Sequence, residues 1–75
     1  MTRWYRVFDG QIGLRRIRVE QASDDTLRAY TTMTDAPFEV EIISKTLGEL
    51  KHHLMEEAEF SEEDASEIVN RVMYH

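Results

Sequence analysis

The chain has 75 residues, a formal net charge of −6 and no cysteine. That length makes one domain, 1–75, near the size at which a single apolar core supplies only about 3–5 kcal/mol of net stability. Without disulfides or a Cys/His metal pattern, the core must hold the fold, helped by a partner or a second copy of the chain.

The start, Met1-Thr2-Arg3-Trp4-Tyr5-Arg6, lacks an apolar leader core, and no apolar run reaches the eighteen residues that a membrane span needs. The expectation is a soluble protein without a membrane partner, and the lack of cysteine points to the cytoplasm. Charge is divided unevenly. Residues 1–33 carry six basic and four acidic side chains (net +2), and residues 34–75 carry three and eleven (net −8).

Residues 3–8 are rich in aromatic and β-branched types and predict a first strand, with Asp9-Gly10 as its hairpin turn. A second strand is expected over 12–20. Its apolar phase breaks, Ile12 and Leu14 sharing one parity and Ile17 and Val19 the other, which a β-bulge between Gly13 and Arg16 would reconcile. Glu20 to Thr26 reads as a polar loop. A second hairpin follows over 27–33 and 38–44, with Thr34-Asp35-Ala36-Pro37 as the turn. Its alternation pairs Met33 with Phe38, Thr32 with Glu39 and Tyr30 with Glu41, leaving a polar outer face on which Arg16, Arg18 and Arg28 can neutralise the glutamates.

At Thr46 the period changes from 2 to 3.6. Thr46-Leu47-Gly48-Glu49 has the form of a capping box and opens a helix over about 47–58, with Leu47, Leu50, Leu54 and Ala58 on one side and Met55 at the margin. Ser61-Glu62-Glu63-Asp64 caps a second helix over about 62–74, whose apolar stripe is Ala65, Ile68, Val69, Val72 and Met73. Glu67 and Arg71 form an i, i+4 pair. The order ββββαα predicts an α+β fold: a four-stranded antiparallel sheet of two hairpins with a C-terminal αα-hairpin on its apolar face.

The chemistry-bearing clusters are few. His52 and Glu56, and His53 and Glu57, lie four apart on a helix and can each supply two metal ligands, but a third ligand and any zinc-enzyme motif are missing. The acidic run lacks the spaced ligands and turn glycine of a calcium loop. No metal and no cofactor is expected. The carboxylates sit at helix starts and on solvent faces rather than in a cleft, and 75 residues leave little material for one, so the chain reads as non-enzymatic.

Two surfaces remain. From Glu56 to Asp64 there are six carboxylates and no cation, with Glu56, Glu59, Glu62, Glu63 and Asp64 as the candidate partner-binding set. Such a field repels polyanions and attracts basic protein surfaces. In size and charge the chain resembles small acidic phage-encoded inhibitors of host defence, anti-CRISPR proteins among them, although no motif of such a family is present. The resemblance implies an acidic helical end that mimics nucleic acid and blocks a basic surface of its partner, for example in a nucleic-acid-binding complex. The alternative surface is the sheet face, with Trp4, Arg6, Arg16, Arg18 and Tyr30, residue types that serve an adaptor or a self-associating homodimer. The mix of Trp4, Arg6 and Phe8 with Arg15, Arg16 and Arg18 also suits single-stranded nucleic acid, a reading that the net charge of −6 opposes.

Overall fold

The computed structural model describes residues 2–33 and 38–74. Four strands, β1 (Trp4–Ile12), β2 (Arg15–Ala22), β3 (Leu27–Thr32) and β4 (Glu39–Ser44), form an antiparallel sheet in sequential order. Helices α1 (Leu47–Glu56) and α2 (Glu62–Met73) follow, α1 over β4 and α2 over β1. The ββββαα architecture is as the sequence indicates. The expected turn at Thr34-Asp35-Ala36-Pro37 lies outside the described residues, and among those described no helix is long and apolar enough to cross a membrane.

The first hairpin differs from expectation. Asp9-Gly10 is not its turn but the interior of β1, and the chain reverses at Gly13-Leu14 between the paired residues Ile12 and Arg15. Gly13 has φ 63 and Leu14 does not share a positive φ, the pattern of a two-residue hairpin with glycine at its first central position. The bulge is also displaced. It lies in β1, where the register shifts between Arg6 and Phe8, and not between Gly13 and Arg16. The broken phase of 12–19 is therefore the turn itself: Ile12 is core, and Leu14 is 98 % exposed at the tip.

The bulge has a packing reason. Val7 has the opposite parity to Phe8, Gly10 and Ile12, yet the extra residue turns it inward, so Val7 and Phe8 both pack on the core. Trp4 and Arg6 before it, and Asp9 and Gln11 after it, remain on the outer face with Arg18 and Arg16 opposite. The expected common face of Trp4, Arg6 and Phe8 is thereby split. β2 runs to Ala22, and residues 23–26 form the loop, with Asp25 at φ 73 and the Asp24 carboxylate accepting from the Thr26 N–H (3.1 Å).

Ile17, Val19, Ala29 and Ile42 from the sheet meet Leu50, Leu54, Ala65 and Ile68 from the helices in a core with almost no solvent contact. Both helices start as their caps dictate: the Thr46 hydroxyl accepts from the Glu49 N–H and the Ser61 hydroxyl from the Asp64 N–H, each at 3.1 Å. α1 ends two residues earlier than expected and α2 one earlier. Met73, placed by periodicity on the apolar stripe, is about half exposed at the end of α2.

Candidate functional site

Antiparallel pairing brings one set of chain segments to one pole. The β1–β2 tip at Gly13-Leu14, the end of β3 at Thr32, the start of β4 at Glu39 and the α1–α2 connection all lie there. Arg15 ties them together. Its guanidinium stacks on the Phe60 ring (3.8 Å to the centroid), while Nε and Nη2 donate to the Thr32 carbonyl at 3.0 and 2.7 Å. Burial lowers the Arg15 pKa, and the Glu59 and Asp64 carboxylates pull it partly back. The sequence groups Arg15 with Arg16 and Arg18, but Arg15 shares the inward parity of Ile17 and Val19 and points to the helical side.

The Glu59 and Asp64 carboxylates act on this anchor, and Glu56, Glu57, Glu62 and Glu63 adjoin them in the chain. Glu56, Glu57, Glu59, Glu62 and Glu63 are exposed and Asp64 is half-buried. Among the described residues, the one basic side chain within 4 Å of any of them is His53, 3.9 Å from Glu57, and the two form an ion pair when the imidazole is protonated. Three of the acids, Glu62, Glu63 and Asp64, occupy the first turn of α2, where the helix dipole favours them. The others do not share that reason. Glu56 ends α1 and Glu57 caps its C-terminus, where the dipole favours cations, and Glu59 has φ 60, a conformation that costs an L-residue about 1–2 kcal/mol. The Phe60 N–H donates to the Leu54 carbonyl (3.0 Å), which fixes that reversal. Leu14 and Phe38, 98 % and 58 % exposed, border the same pole.

The sheet face opposite the helices is different in kind. Arg28 lies over Trp4 (4.0 Å) and beside Tyr30 (5.3 Å), and Arg18 covers the other part of the Tyr30 ring (4.7 Å). Its cations are met by acids: Arg28 donates to Glu20 at 2.6 Å, Arg18 lies 3.8 Å from Glu20, and Arg16 and Arg6 lie 3.0 and 3.5 Å from Asp9. The expected neutralisation of Glu39 and Glu41 by arginines is replaced by this inner pairing. Glu41 instead accepts from the Tyr30 hydroxyl at 2.7 Å. The Glu20 hydrogen bond raises the Arg28 pKa, and burial followed by the Glu41 contact raises that of the Tyr30 phenol. A hollow of about 260 Å³ opens between Arg16, Arg18, Tyr30, Thr32 and Glu39.

The histidines carry structure. Ser44 Oγ lies 2.9 Å from His53 Nδ1 and Glu57 lies 3.9 Å from Nε2, a serine–histidine–glutamate row that resembles nucleophilic machinery in outline. Ser44 is only 1 % exposed under α1, so no substrate reaches its hydroxyl, and the row pins α1 to β4. The sequence reading paired His53 with Glu57 but missed Ser44, whose inward parity with Ile42 was the available signal. No group of three or more His, Asp or Glu side chains suited to a metal ion occurs among the described residues. Comparison with protein-family models, with curated proteins and with solved structures finds no match to this chain, so its functional reading rests on its own geometry.

Proposed function

We propose that the protein is a non-enzymatic binding module whose acidic pole docks on a basic, nucleic-acid-binding surface of a protein partner and blocks it. The observation that carries this reading is the position of Glu56 and Glu59. Helix stability accounts for acids at the start of α2, but it opposes acids at the end of α1 and a glutamate at φ 60. A selective reason other than folding is needed for them, and a continuous negative surface supplies one. The exposed Leu14 and Phe38 at the rim add apolar contact area, the element that converts electrostatic steering into residence time. The sheet face suits nucleic acid poorly, because its outward Arg6, Arg16, Arg18 and Arg28 are offset by Asp9, Glu20, Glu39 and Glu41, which leaves no net positive field for a polyanion.

The test separates folding from binding. Glu56→Lys with Glu59→Gly removes two carboxylates from unfavourable backbone positions, so the variant should be more stable by about 1–2 kcal/mol. Its binding should fall. Immobilised wild-type protein in extract of the native host is expected to retain a protein that salt and added duplex DNA both displace, and the variant at least about tenfold less of it. Trp4→Ala with Tyr30→Ala should leave retention intact. Unchanged retention by the acid variant, with loss in the aromatic variant, overturns the proposal in favour of an adaptor that uses the sheet face.

A further inference from the structure

We infer that the helix-free face of the sheet is a two-fold interface between copies of this chain, with β4 of each copy lying over β2 of the other. The face is divided into strips of opposite sign. Outward side chains of β2 and β3 include Arg16, Arg18, Arg28 and Glu20, a net charge of +2, while those of β4 are Glu39, Glu41 and Ile43, a net charge of −2. Glu39 has no cation within 4 Å among the described residues, and Ile43, beyond Glu41 on the same face, is 47 % exposed.

The register makes these strips complementary to themselves. Arg18, Tyr30 and Glu41 stand in one row across the sheet, and the next outward row holds Arg16, Thr32 and Glu39. A two-fold axis parallel to the strands and above β3 exchanges the β2 and β4 sides without changing level along the strands. Glu41 of the other copy then faces Arg18, and its Glu39 faces Arg16 across the hollow that Arg16, Arg18 and Thr32 line together with Asp9 and Glu39 of the same copy. A two-fold axis running across the strands instead lays acid strip on acid strip and arginine on arginine. The first arrangement sets Arg28 against its counterpart in the other copy at the axis, where Glu20 accompanies it at 2.6 Å, but it avoids acid strip on acid strip, so charge selects it. Sheets packed face to face sit about 10 Å apart, a gap that arginine and glutamate side chains can span from opposite sides. The central Tyr30 rings, half-buried between Arg18 and Arg28, meet at the axis.

The size of the face sets the strength. About that axis β2, β3 and β4 overlap, roughly 15 by 20 Å, which falls below the usual size of specific contacts and predicts a weak, reversible dimer at high micromolar concentration. Glu39 lies at the same end of the sheet as the acidic pole, but none of Glu56, Glu59, Glu62, Glu63 and Asp64 is on this face, so the charge-reversal variants of the two proposals share no residue.

Sedimentation equilibrium of the wild-type chain over a wide concentration range tests it. A monomer–dimer equilibrium that weakens as salt is added is expected. Glu39→Arg with Glu41→Arg should weaken self-association at least about tenfold, as should Arg16→Glu with Arg18→Glu. An equimolar mixture of the two variants should regain a dimer containing one of each, because one contact is then the wild-type pair and the other is restored with reversed sign. That recovery also proves that both variants fold. A wild-type chain that stays monomeric to millimolar concentration, a dimer indifferent to salt and to the reversals, or a mixture that stays monomeric would each overturn the inference.

Discussion

Two glycines of the first hairpin impose different physical demands. At Gly13 the backbone takes φ 63 and nothing lies within 4 Å of where a Cβ would stand, so the cost of a side chain there is conformational alone. Gly13→Ala should lower stability by about 1 kcal/mol in urea unfolding, and an unchanged midpoint would exclude the assigned turn. At Gly10 a Cβ would approach the Phe8 ring to 3.1 Å, so the demand is for space beneath an aromatic side chain. This contrast explains why the turn was misplaced from sequence. Asp9-Gly10 is the stronger local turn signal, but a reversal there would set Ile12 and Ile17 on opposite faces. Reversal at Gly13-Leu14 puts Phe8, Ile12, Ile17 and Val19 on the core together, and burial outweighs local preference. Asp24 offers a pH marker on the same scale. The Thr26 N–H holds its carboxylate below the ordinary aspartate pKa, so the loop's contribution is present above the unfolded value and is lost as pH falls through the lowered one.

At the scale of elements, the helices were the most legible part of the chain because cap and period agree at both starts. Thr46 and Ser61 cap as their spacing indicates, and Leu50, Leu54, Ala65 and Ile68 are all fully buried. The prediction at this scale rests on adjacent residues of α1. Leu54 is fully buried and Met55 is 36 % exposed, so Leu54→Ala should cost about 2–5 kcal/mol and Met55→Ala well under half of that. Thermal melts of the two variants check the orientation of the helix, and equal losses would reject it. Strand pairing in the second hairpin was legible from Tyr30–Glu41 to Thr32–Glu39, since alternation admits one register with Ala29 and Ile42 inward, but the expected Met33–Phe38 pair lies beyond the ladder and Phe38 is 58 % exposed. What alternation cannot reveal is which charges choose each other across a sheet. Arg28 lies opposite both Glu20 and Ile43, and the preference for Glu20 arises from β2 lying between β1 and β3, a fact of strand order.

Over the whole molecule, charge is sorted by place: a sheet face on which both signs are interleaved, and a run of six carboxylates of which Glu59 and Asp64 act on one arginine, Arg15. The sequence made the acidic run visible, but not its setting, because Arg15 reaches it from 41 or more positions earlier in the chain and the apolar Leu14 arrives with it. Crowding like charges at one end raises the energy of the folded state relative to an unfolded chain in which they separate. Salt should relieve that repulsion. Raising ionic strength from about 0.01 to about 1 M shrinks the screening length from roughly 30 to roughly 3 Å, and each kcal/mol relieved should raise Tm by about 4–8 °C in a domain of this size. The measurement belongs at protein concentrations below those that support the dimer, where salt-sensitive contacts between copies do not oppose the trend. Glu59→Lys with Glu62→Lys and Glu63→Lys changes the net charge by +6, from −6 to zero, and should flatten the salt response although α2 loses about 0.3–1 kcal/mol for each displaced first-turn acid. If the wild-type Tm were level or fell with salt, the pole would not be under electrostatic tension. The argument that its carboxylates are kept against the interest of folding would then fail with it.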